Sequence, residues 1–113
     1  MSLTDLIERV EGATGPDRHI DRAIWYALVQ DNPPAGEKDP THAALYTTSL
    51  DAALALCERV LPKYEVELFQ RFRGDGWGVN WRAKHLDTAY APTPALALIL
   101  AMLKAIQAKD PTP

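Results

Sequence analysis

The sequence predicts an α+β domain, and three observations carry the prediction. Apolar residues recur at helical spacing from Leu3 to Leu28, again from Leu50 to Leu61, and once more from Leu96 to Ile106. Between the last two, residues 63–84 change to a two-residue alternation around a Gly-Asp-Gly turn, the period of half-buried strands. The length of 113 residues, with 47% apolar side chains, is enough for one core and too little for two ordinary domains. Residues 1–113 are therefore read as one unit, with a frayed tail at 110–113.

The first helix opens at Ser2, with Asp5 completing a capping signal, and presents Leu3, Leu6, Ile7 and Val10 on one face. Gly12 and Gly15-Pro16 break it. Asp17 opens the second helix, whose inner face on a regular α period is Ile20, Ala23, Ile24, Ala27 and Leu28, widened by Trp25 and Tyr26. The pair has the shape of a helix–turn–helix without a basic recognition helix, because Asp17, Asp21 and Asp31 offset Arg18 and Arg22. Residues 31–42 form a polar, Pro-rich loop, which such composition marks as a mobile surface connection.

Ser49 or Thr48 caps the third helix, with Leu50, Ala53, Leu54, Cys57 and Leu61 as its stripe and Pro62 as its stop. A hairpin then spans about residues 64–84. Trp77, Val79 and Trp81 face the core, and Phe69, Arg71, Arg73, Arg82 and Lys84 face outward. Residues 85–91 are a candidate third strand. Thr93-Pro94 opens a last helix, Ala95–Ala108, which is apolar nearly all round and must be covered on more than one side, within the fold or by a second subunit.

Leu3-Thr4-Asp5-Leu6-Ile7-Glu8-Arg9, Gly15-Pro16-Asp17-Arg18, Tyr46-Thr47-Thr48-Ser49-Leu50-Asp51-Ala52-Ala53-Leu54 and Thr93-Pro94-Ala95-Leu96-Ala97-Leu98 stand in an order and spacing that resemble the phage ABA-sandwich domain family, small proteins of bacteriophages and prophages. The resemblance implies a compact three-layer sandwich of α/β/α type, its antiparallel sheet packed by N-terminal helices and a buried C-terminal helix. It also implies a phage origin. It brings no catalytic residue.

The chemistry-bearing residues are scattered. His19, His42 and His85 lack partners at metal-ligand spacing, and one cysteine excludes a disulfide or a Cys-based zinc framework. Cys57 falls in an apolar stripe and reads as an inert core thiol. Glu8/Glu11 and Asp17/Asp21 read as solvated helix faces, and no phosphate loop or nucleophile elbow is present. The sequence therefore leans away from an enzyme and calls for no cofactor or metal. A formal net charge of −3 argues against general nucleic-acid coating. The longest apolar run, near Ala95–Leu103, is short of a membrane span, so the chain is expected to stay in the cytoplasm, which the phage resemblance implies is that of a bacterial host.

One constellation remains. Residues 1–62 sum to −5 and residues 63–85 to +2, so a basic hairpin stands on an acidic body. Arg71, Arg73, Arg82, Lys84 and Phe69 form the candidate ligand site, since guanidinium groups fork onto phosphates and stack on flat rings. The bland alternative pairs the arginines with Glu65 and Glu67. The expected function is that of a non-enzymatic phage accessory protein. It acts by binding, with counter-defence through sequestration of an anionic nucleotide or a host protein as the sharpest form. The alternatives are an assembly protein that oligomerises through the C-terminal helix and, third, a cryptic nucleotide or phosphoester hydrolase.

Overall fold

The computed structural model describes residues 2–71, 76–82 and 86–109. Helix α1 is Leu3–Gly12, α2 is Arg18–Ile24 continued by a π-helical turn at Trp25–Val29, α3 is Leu50–Val60 and α4 is Pro94–Lys109. Strands β1 (Val66–Gln70), β2 (Trp77–Trp81) and β3 (Ala89–Ala91) form an antiparallel sheet in the order β1-β2-β3. The α+β class, the hairpin and the third strand are thus present, with α4 packed against the sheet. Phe72, Gly74, Asp75, Ala83, His85 and the 110–113 tail lie outside the described residues.

The caps are those the sequence signals. The hydroxyls of Ser2, Ser49 and Thr93 accept from the amides of Asp5, Ala52 and Leu96, and Asp17 accepts from His19 and Ile20. At the hairpin's end Gly76 adopts φ +103°, and a Cβ there would stand 2.7 Å from the Ala91 carbonyl oxygen. Positive φ and close backbone approach both require glycine.

Layer order follows from α4. It packs on β2 and β3, reaches β1, and carries α1 and α3 on its other side. The layers are therefore sheet, α4, then the remaining helices, so the N-terminal helices meet the sheet through α4 rather than packing on it as the α/β/α order of the resemblance implies. Leu96, Ile99, Met102 and Leu103 are completely buried within the one chain, so the helix's apolar circumference is covered internally.

Two stripes differ from the periodic reading. In the second helix Gln30 N–H donates to Trp25 O at 2.8 Å, an i to i+5 bond. The wider turn returns to the core after five residues, so Ile24 and Val29 are buried while Tyr26 and Ala27 turn outward. In α3 the buried positions are Ala53, Leu56 and Cys57, and Leu54 is 38% exposed.

The Asp21 carboxylate, expected on a solvated face, is buried. It accepts from Thr47 N–H (2.8 Å) and Thr47 Oγ1 (2.9 Å) and pairs with Arg18 (3.3 Å). Arg18 also donates to the carbonyls of Ala44 and Thr41, which sews residues 41–47 onto the start of α2. The Pro-rich loop is anchored as well. Trp25 Nε1 donates to Glu37 O at 2.8 Å, and the Glu37 carboxylate accepts from Ala44 N–H and the Tyr46 hydroxyl.

Candidate functional site

Sheet register decides what the outer face presents. Phe69, Gly78 and Tyr90 are aligned across the three strands. Without a side chain at the central position, both rings lean over β2, and a Cβ on Gly78 would stand 2.4 Å from Phe69 Cζ. Phe69 and Tyr90 meet edge to face at 6.2 Å between centroids. Arg71 follows on the same face, its guanidinium 4.6 Å from the Tyr90 centroid, a cation–π distance. Tyr90 is 48% exposed, so the ladder Arg71–Tyr90–Phe69 is open to solvent.

The expected arginine cluster is only partly assembled. Arg71 N–H donates to Gly76 O, whereas Arg82 N–H donates to Glu65 O at the other end of the hairpin. Six residues of β-strand separate those levels, about 20 Å. Arg82 pairs with Glu65 at 3.3 Å, as in the solubilising alternative, while no carboxylate lies within ion-pairing distance of Arg71 among the described residues. Arg73 and Lys84 lie outside the described residues. Tyr90 is the residue that sequence reasoning missed. Its signal is the small-large-small order Ala89-Tyr90-Ala91, which puts the ring opposite two alanines facing the helix.

Among the described residues, those that could carry other chemistry have identifiable surroundings. His42 meets a carboxylate, its Nδ1 being 2.9 Å from Asp39 Oδ1 on an exposed turn. The Thr41 hydroxyl approaches that same ring nitrogen, at 3.5 Å, whereas a triad needs nucleophile and acid on opposite nitrogens. The Thr41 hydroxyl, and then His42, hold the Asp39 carboxyl below its usual range. Among the described residues no group of three His, Cys, Asp or Glu side chains could hold a metal, and no helix is long and apolar enough to cross a membrane.

Cys57 is buried, and desolvation, then the neighbouring Glu58 carboxylate, push its thiol up to about 11. Burial, then the Glu37 carboxylate, push the Tyr46 phenol up in the same direction. In both cases the unfolded chain ionises first and binds fewer protons, so stability is complete below the unfolded value and falls as pH rises. Denaturant midpoints should drop between pH 9 and pH 11, the span over which the thiol is displaced. One unit corresponds to about 1.4 kcal/mol, so Cys57 contributes a loss on the order of 2 kcal/mol. Cys57→Ala should flatten that part of the fall, and an unchanged slope would exclude the thiol as its cause.

No family model, no curated protein and no solved structure matches this chain.

Proposed function

We propose that the protein is a non-catalytic accessory protein of phage or prophage origin that works in the cytoplasm of a bacterial host by stoichiometric binding, with an anionic nucleotide as its ligand on the outer sheet face. The observation that carries the reading is Arg71. It is a guanidinium held against an exposed tyrosine with no carboxylate within ion-pairing distance among the described residues. Tyr90 supplies an exposed ring for a base, with Phe69 standing edge to face beside it, and Arg71 supplies the fork for a phosphate. Sequestration by such a surface would counter a nucleotide-signalled host defence. Assembly through the C-terminal helix draws no support from that helix's apolar character, since the residues responsible are buried inside the subunit.

The test is a thermal-shift screen of mono-, di- and cyclic nucleotides. A ligand at about a hundred times its Kd stabilises the folded state by about 2.7 kcal/mol, a rise of several degrees. Arg71→Glu and Tyr90→Ala should each abolish the shift while melting like wild type in buffer. If no nucleotide stabilises the wild-type protein and no host protein is retained on it, the reading falls.

A further inference from the structure

A second feature lies in the helical layer, which α4 separates from the sheet. A groove of about 510 Å³ runs between α1 and the second helix, lined by Arg9 and Leu6 from one side and by His19, Arg22, Tyr26 and Gln30 from the other. That volume falls within the range of small-molecule sites.

Spacing explains the lining. His19, Arg22 and Tyr26 follow at three and four residues, so their side chains are neighbours along one helical face. The π-turn extends that face. By returning the chain to the core at Val29, it leaves Tyr26 and Ala27 outside, where they line the groove. Such turns are uncommon and recur at functional positions.

The charge balance of this groove is one-sided. No carboxylate lines it, and among the described residues neither Arg9 nor Arg22 has an ion-pair partner. The nearby acids are engaged elsewhere or lie beside the groove. Glu11 pairs with Lys104 at 3.4 Å, Asp21 is held by Arg18 and Thr47, and Asp17 caps its own helix. Glu8 and Asp17 border a neighbouring recess that shares Arg9 and His19 with the groove. Two guanidiniums lining one cavity without a carboxylate make it a positive site, and a phosphate accepts from both forks at once.

We infer that this groove is a binding site for a small phosphate ester, with Arg9 and Arg22 gripping the phosphate from opposite walls. His19 and Gln30 stand at hydrogen-bonding positions, and Tyr26 and Ala23 line the flank that takes the carbon skeleton. The site shares no residue with the sheet face and stands or falls without it.

The experiment is an amide-resonance titration of the whole protein with ribose 5-phosphate, chosen because it has no flat ring to stack on Tyr90. Inorganic pyrophosphate serves as a second probe and sodium chloride as the ionic-strength control. Saturable shifts are expected in residues 6–9 and 19–30. Arg9→Ala and Arg22→Ala should each weaken binding at least tenfold, Arg22→Lys less, and Arg71→Glu not at all. Melting curves of the variants establish that they fold, which the surface positions of Arg9 and Arg22 favour. Shifts confined to the strands, shifts reproduced by chloride, the absence of any shift, or binding untouched by both alanine variants would each overturn the site. Loss of nucleotide binding at Arg71 would leave it standing.

Discussion

Replacing Asp21 by alanine is expected to lower stability by about 2–4 kcal/mol, the cost of leaving the buried Thr47 amide without its acceptor and of losing two further hydrogen bonds to a carboxylate. The carboxylate is 1% exposed and receives three donors. Its removal orphans the Thr47 amide and part of the Arg18 guanidinium, and it unpins residues 41–47 from α2. A domain of this size has about 5–15 kcal/mol in total, so the variant should lose a substantial share of it. Urea unfolding would show a lower midpoint with the slope unchanged. Asp21→Asn keeps an acceptor for Thr47 and should fall between. Arg18→Ala leaves the buried carboxylate with the Thr47 donors alone and should cost about 1–3 kcal/mol, moderated because the guanidinium is 34% exposed. An alanine variant within 1 kcal/mol of wild type would mean that the network contributes little.

Leu103→Ala should cost about 2–5 kcal/mol, the range for truncating a fully enclosed leucine whose surroundings cannot collapse. α4 is held by the sheet on one side and by α1 and α3 on the other, so neither layer can move in to fill the space without leaving its own partner. Leu54→Ala, on the solvent side of α3, should change stability by less than about 0.5 kcal/mol. Equal effects at the two positions would contradict the burial of the last helix.

The parts of the fold that were legible in the sequence are those set by local chemistry. Caps at Ser2, Asp17, Ser49 and Thr93 fix helix starts, and the alternation around Trp77, Val79 and Trp81 fixes which sheet face is inward. What escaped depends on contacts between distant segments. The π-turn turns Ala27 outward and buries Val29 beside the half-buried Leu28, and no periodicity announces it. Asp21 reads as solvated until Thr47, 26 residues away, is brought against it. The outward face of the hairpin was legible, but not the six-residue offset between Arg71 and Arg82, because register depends on pairings that composition leaves open. Tyr90 escaped because a three-residue strand offers too little alternation to recognise.

The position of α4 has a consequence for how this chain acquires its structure. The helix that joins the two outer layers is encoded after all of them, and Gln107 bonds to Thr4 across 103 residues. During synthesis the earlier helices and the hairpin have no common surface to collapse onto until that stretch leaves the ribosome. Folding of such distant pairings is slow, and the apolar faces of both halves stay exposed to chaperones and proteases in the interval.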